Sequence, residues 1–79
     1  MIDVLFFGPV AERTGCGTLK TEFRPGMTLK DLQEELAAKY PSAFEIASIA
    51  AVDGQHVRDQ TMPLADRSEV AFMARFSGG

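Results

Sequence analysis

The C-terminal residues Phe76-Ser77-Gly78-Gly79 are the part of the chain whose residue types best suit chemistry. Glycine has no β-carbon, so a Gly-Gly end can pass through a narrow tunnel and bring its carboxylate close to another enzyme's nucleotide site. A carboxylate becomes an acyl donor only after an adenylate or thioester replaces its poor leaving group, so a partner must supply the ATP chemistry. By itself, a terminal glycine pair is more typical of a frayed end.

Two other reactive side chains lack the neighbours that a catalytic site needs. Cys16 lies between two glycines with no basic residue arranged to activate its thiol. His56 follows an Asp-Gly turn, and no Ser, Cys or acidic residue stands at a spacing that suggests a relay. We therefore expect His56 on a partner-contacting surface, and we expect no metal site, no bound cofactor and no autonomous catalytic site.

The residues ahead of the tail have the periodicities of short strands and one long helix. Strands are predicted over 2–7, 18–23, 47–52, 55–57 and 69–73, where β-branched and aromatic residues are bounded by turn residues. A short helix is predicted over 10–14. Thr28 can cap a longer helix that Pro41 ends, with Leu29, Leu32 and Leu36 at helical spacing.

This order of elements predicts an α+β fold with a mixed sheet of four to five strands and one main helix across one face. A right-handed crossover through the helix can return the last strand parallel to the first. That arrangement is the ubiquitin-like β-grasp. We expect the folded domain to span residues 1–74 and a flexible Gly-Gly tail to span residues 75–79.

The predicted sheet has two faces, and its one main helix can cover only one of them. Alternation sends Ile2, Val4 and Phe6 toward the helix and leaves Leu5 and Phe7 on the opposite face. In the last strand, Ala71 and Met73 point outward by the same argument. If the two strands pair, these four residues form an exposed apolar patch of the kind that usually meets a partner. The alternative is ordinary scattered surface residues, because a one-residue slip in register exchanges the faces.

Composition restricts the partners. The 79 residues carry a net charge of −3, and their eight Lys and Arg residues are scattered, so nucleic acid is not expected as a partner. The opening residues have no basic region and no long apolar run, so neither a signal peptide nor a membrane span is predicted. A single cysteine fits a reducing compartment, and we expect a cytoplasmic location.

Several short motifs, taken together and in order, give the chain a resemblance that spans nearly its full length. It resembles the MoaD/ThiS family of ubiquitin-like sulfur carriers, and within that family the molybdopterin synthase small subunits of the MoaD type. The motifs are Val4-Leu5-Phe6-Phe7-Gly8, Ala11-Glu12-Arg13-Thr14-Gly15, Thr28-Leu29-Lys30-Asp31-Leu32, Ala51-Val52-Asp53-Gly54, Pro63-Leu64, Ser68-Glu69-Val70-Ala71-Phe72 and Ser77-Gly78-Gly79.

The resemblance implies that an E1-like adenylating enzyme of the MoeB/ThiF type activates the Gly79 carboxylate with ATP. A sulfur donor, such as a cysteine desulfurase or a rhodanese-like protein, then converts it to a thiocarboxylate. In the molybdopterin branch, the tail enters a MoaE-like large subunit and passes sulfur to a pterin precursor. The chain is then the sulfur-donating subunit of a sulfurtransferase complex. The resemblance also assigns Phe7, Met73 and the neighbourhood of His56 to the docking surface.

The tail departs from the family pattern. Many molybdopterin carriers have two prolines where this chain has Ala74-Arg75, and a smaller aliphatic residue where it has Phe76. We therefore expect a more flexible tail, in which Arg75 can pair with an acidic group of the partner. A sulfur carrier for thiazole, cysteine or siderophore-type thioacid synthesis stays open, and so does a ubiquitin-like modifier attached to lysines through Gly79.

Overall fold

The computed structural model describes residues 1–75, which form five strands and three helices. In chain order they are β1 (Ile2–Phe6), α1 (Gly8–Thr14), β2 (Thr18–Thr21), α2 (Leu29–Lys39), α3 (Pro41–Phe44), β3 (Ala47–Val52), β4 (Gln55–Val57) and β5 (Glu69–Ala74).

The strands form one mixed sheet in the order β2-β1-β5-β3-β4. β1 and β5, the first and last strands of the chain, lie parallel at its centre, and the other neighbours are antiparallel. The β3–β4 hairpin turns through Asp53 and Gly54, which have φ angles of 50° and 84°. Positive φ at both central residues matches the twist of the two strands. The predicted ubiquitin-like β-grasp, with its parallel first and last strands, is confirmed.

The first strand ends one residue earlier than predicted, because Phe7 serves as the N-cap of α1 with an extended backbone. Pro9 suits the first turn of α1, since its missing N–H has no partner there in any case. Gly15 ends the helix in the left-handed region, with φ of 78°. The helix therefore begins two residues before the predicted Val10 and ends where predicted.

The main helix begins with a capping box. The Asp31 amide donates to Thr28 Oγ1 at 3.3 Å, and the Thr28 amide donates to Asp31 Oδ2 at 2.9 Å. Hydrogen bonding of the Thr28 backbone amide and side chain to the Asp31 carboxylate holds the pKa of Asp31 below its ordinary value. Pro41 ends α2 as predicted, but it also begins the short helix α3, which the sequence analysis missed.

The core lies between the sheet and the three helices. β1 contributes Ile2, Val4 and Phe6, which are almost fully buried, as the alternation predicts. Phe72 of β5 is completely buried, with its ring centroid 6.3 Å from Phe6 and 5.1 Å from the Phe44 ring of α3. Each helix adds apolar side chains to this cluster: Val10, Leu29, Leu32, Leu36 and Ala43.

Candidate functional site

The face of the sheet turned away from the helices is built in rows by the strand register. In one row, Leu5 pairs with Ala71, Ala71 with Ala51, and Ala51 with His56. Residues that pair across a ladder share a face, so these four side chains lie on the same side of the sheet. The row crosses four strands, and it brings together three of the residues predicted to meet a partner.

The next row lies nearer the end of β5. Met73 pairs with Ile49 of β3, and the Phe7 amide donates to the Phe72 carbonyl oxygen at 3.2 Å. This bond continues the β1–β5 pairing by one residue and places Phe7 beside Met73. Phe7 is 48% exposed, which is unusual for a large apolar side chain.

We call this apolar surface the outer face, and none of its apolar members belongs to the core cluster between sheet and helices. Its apolar members are Leu5, Phe7, Ile49, Ala51, Ala71 and Met73.

The prediction of an exposed patch needs one correction. Ala71 is only 8% exposed, because its single methyl group lies between the side chains of Leu5 and Ala51 in the two neighbouring strands. Leu5 and Met73 are half-buried, so Phe7 is the most exposed apolar side chain of the outer face. Ala71 forms the floor of the outer face rather than a protruding contact.

Ile49 and Ala51 were not predicted to lie on this face, because β3 is apolar at nearly every position and shows little alternation. Their distance along the chain from the Asp53-Gly54 turn could have assigned them, because every second residue of a strand lies on the same face. In a two-residue hairpin, Val52 and Gln55 must pair, which places Ala51 opposite His56.

Charged residues lie at one end of the outer face. Lys20 and Asp3, which pair across β1 and β2, form an ion pair at 3.2 Å. Glu69 stands opposite Asp3 on β5. The apolar region is therefore limited to the half of the sheet nearest Phe7 and the end of β5, which is the half from which the tail continues.

The root of the tail is attached to β3. β5 ends at Ala74, which pairs with Ala47, and the ladder is irregular between Ala47 and Ile49. At this irregularity, Ser48 Oγ accepts a hydrogen bond of 2.8 Å from the Arg75 amide. The predicted tail residues Phe76, Ser77, Gly78 and Gly79 lie outside the described residues.

The other two reactive side chains, Cys16 and His56, lie in surroundings that suit a structural role. Cys16 is half-buried, and its Sγ lies 3.8 Å from the Thr14 hydroxyl. His56 is exposed, and its side chain makes no hydrogen bond within residues 1–75. Among these residues, no group of three or more His, Cys, Asp or Glu side chains could hold a metal ion. No helix within the same range is long and apolar enough to cross a membrane.

The β-grasp, with its first and last strands parallel at the centre of the sheet, defines the fold class of ubiquitin-like proteins. The sequence profile of the ThiS family matches residues 4–79. The molybdopterin synthase sulfur carrier subunit of Arabidopsis thaliana is 31% identical over 80 residues, which cover 99% of this chain and 82% of that protein. The chain belongs to the ThiS family, within the MoaD/ThiS group of sulfur carriers.

Solved structures support the same fold at lower sequence identity. The small archaeal modifier protein 1 of Methanosarcina acetivorans superposes with a TM-score of 0.82 at 21% identity, covering 99% of this chain and 95% of that one. A structure from Helicobacter pylori, described as a complex of subunits 1 and 2 of molybdopterin-converting factor, gives a TM-score of 0.74 at 21% identity. Its alignment covers 99% of this chain and 97% of that chain.

Proposed function

We propose that this protein carries sulfur as a thiocarboxylate on Gly79 and works as the small subunit of a molybdopterin synthase. The observation that carries the proposal is the position of the root of the tail. β5 leads from the middle of the outer face to Ala74 and Arg75, which precede Gly78-Gly79 in the sequence. A partner that covers the outer face is therefore placed to receive the carboxylate in its own active site.

The proposed chemistry belongs to the partners and not to the folded domain. The Gly79 carboxylate attacks the α-phosphate of ATP on an E1-like enzyme of the MoeB/ThiF type, which releases pyrophosphate and leaves an acyl adenylate. The terminal sulfur of a cysteine persulfide on a cysteine desulfurase or a rhodanese-like protein then displaces AMP and forms an acyl disulfide with Gly79. A second thiol attacks the enzyme sulfur of that acyl disulfide, forms a disulfide with it and releases the Gly79 thiocarboxylate. The domain supplies the docking surface and the carboxylate, and we place the reactions in the cytoplasm, where ATP is available.

Reconstitution tests the sulfur-carrier proposal. The full chain is incubated with ATP, the adenylating enzyme and a sulfur donor, and the intact mass of the chain is measured. We expect one oxygen-to-sulfur exchange at the C terminus. Deletion of Gly79 is the matched control, because it leaves a terminal glycine carboxylate that is one residue too short. No exchange in the full chain, or equal exchange in the shortened one, would contradict the proposal.

The acceptor is tested separately. We propose a MoaE-like large subunit, in line with the name of the Arabidopsis relative and with the two-subunit complex from Helicobacter pylori. Mixing the thiocarboxylated chain with such a subunit and the pterin precursor should regenerate the Gly79 carboxylate as sulfur leaves. If sulfur exchange succeeds but no complex forms with this subunit, the carrier serves another pathway, such as thiazole or thioacid synthesis.

A second candidate function is protein modification, since the activated Gly79 carboxylate can also pass to a lysine amine. The similarity to a protein named as a small archaeal modifier makes this worth a direct test. Peptide mass spectrometry of cells that express the chain would show Gly79 joined to lysine side chains. We expect thiocarboxylate formation without such conjugates, and abundant conjugates would favour the modifier.

A further inference from the structure

A groove at the β4 edge of the sheet collects basic and amide side chains. It has a volume of about 450 Å³ and lies between the first turns of α2, the start of β3 and the segment that follows β4. His56, Arg58 and Arg75 line it, and no Asp or Glu of the described residues does. Because the whole chain carries a net charge of −3, this basic groove differs in sign from the protein around it.

Arg58 is available to an anionic ligand. Three basic residues elsewhere in the fold are neutralised by ion pairs with carboxylates, whereas Arg58 makes none within residues 1–75. The acidic residue next to it, Asp59, is engaged with Thr61: the Thr61 amide donates to Asp59 Oδ1 at 2.9 Å and the Thr61 hydroxyl at 2.6 Å. The guanidinium of Arg58 therefore has room for a carboxylate from outside.

The groove also contains an acceptor that lacks a donor. Gln33 Oε1 is buried and has no hydrogen-bond partner among the described residues. A buried acceptor without a partner costs free energy, so an occupant that brings an N–H group is favoured. A peptide backbone carries such a group at nearly every residue, whereas a simple anion carries none.

The backbone beside the groove has an open strand edge. β3 pairs with β5 along one side, but on the other side β4 covers only Ala50–Val52. Ser48 and Ile49, which line the groove, therefore have no strand against them on that side within residues 1–75. An extended peptide can add to such an edge through backbone hydrogen bonds.

We propose that the basic groove binds an extended acidic segment of a partner protein. Its carboxylates pair with Arg58 and Arg75, and its backbone runs along the open edge of β3. A backbone N–H of the segment donates to Gln33 Oε1 once that side chain turns into the groove. This contact meets the outer face at Ile49 and His56, but it does not include Phe7 and does not depend on sulfur transfer, so its failure would leave the proposed function intact.

A synthetic probe tests the groove in the full chain. The probe is a blocked pentapeptide of alternating Glu and Val, titrated into isotopically labelled protein at low salt while amide chemical shifts are followed. We expect the largest shifts at Ser48, Ile49 and Arg58, and no comparable shifts with a matched peptide of alternating Lys and Val. Equal binding of both peptides, no binding, or shifts confined to another surface would overturn the proposal.

Two variants with the same change in net charge locate the site. Arg58→Glu should weaken binding of the acidic peptide about tenfold. Arg67→Glu, in the turn before β5, should change it by about twofold or less, because exposed charges far apart are screened. The amide spectra of both variants show whether the fold is kept. Equal affinities in the two folded variants would contradict the assignment to Arg58.

Discussion

The two faces of the sheet are both apolar, yet only one of them is packed. Phe72 on the inner face is completely buried against Phe6 and Phe44, whereas Phe7 on the outer side is 48% exposed. A small domain has little apolar surface to spare for its core, so a large aromatic side chain left in water needs an explanation other than folding. The comparison teaches that the inner face stabilises the fold, whereas the outer face leaves an aromatic side chain available for the partner that we propose.

Removing Phe72 should have the largest effect. Phe72→Ala leaves a cavity in the centre of the core and should lower the free energy of unfolding by about 3–5 kcal/mol. A domain of this length has a total stability of about 4–12 kcal/mol, so the variant will be close to unfolded. Urea denaturation followed by circular dichroism measures the change. A loss of unfolding free energy as small as that of a surface substitution would contradict the claim that the inner face stabilises the fold.

Phe7→Ala should change stability little and thiocarboxylate formation strongly. The free energy of unfolding should fall by about 0.5 kcal/mol, because Phe7 is 48% exposed and is not a member of the core cluster. Thiocarboxylate formation at a limiting concentration of the adenylating enzyme should fall about tenfold, as expected for an aromatic contact residue. Glu34→Ala, on the exposed side of α2, is the control and should leave the rate unchanged. A rate that also stays unchanged in Phe7→Ala would remove Phe7 from the docking surface.

A change on the helix side should alter stability alone. Thr28→Ala removes the hydroxyl that accepts the Asp31 amide and should cost about 1 kcal/mol of stability. Such a loss lowers the thermal midpoint by roughly 4–8 °C in a domain of this size. Below that midpoint, the rate of thiocarboxylate formation should match that of the unchanged protein. A slower rate in the folded variant would mean that a partner also contacts α2.

The smallest expected effect is a pH dependence in the same capping box. The folded-state pKa of Asp31 is lowered by its hydrogen bonds with Thr28, so the ionised carboxylate adds stability above its unfolded pKa, near 3.8. That contribution is lost as the pH falls through the lower folded value. Asp31→Asn should therefore be less stable than the unchanged protein at pH 7. The two proteins should be equally stable at a pH below the folded-state pKa of Asp31. A stability difference that persists unchanged in acid would assign the effect to something other than ionisation.

Much of this architecture follows from sequence patterns that have one physical interpretation. The alternation of Ile2, Val4 and Phe6 and the N-cap residue Thr28 each predict one local structure, and both are present. The parallel pairing of β1 with β5 follows from the crossover rule once those elements are known.

Other features depended on tertiary context. Pro41 predicts the end of α2, but a proline equally suits a first helical turn, and the burial of Ala43 favours α3. Alternation within β3 could not assign Ile49 and Ala51 to a face, because every residue of this strand except Ser48 is apolar. The low exposure of Ala71 depends on the size of its neighbours across two ladders, which no local pattern contains.

The most direct test of the outer face is a methyl cross-saturation experiment on the complex with the adenylating enzyme. Saturation passes from the enzyme to those methyl groups of the carrier that lie against it. The account predicts strong transfer to Leu5, Ile49 and Met73, and none to Ala38 on the exposed side of α2. Strong transfer to Ala38 with none to the outer face would contradict the account.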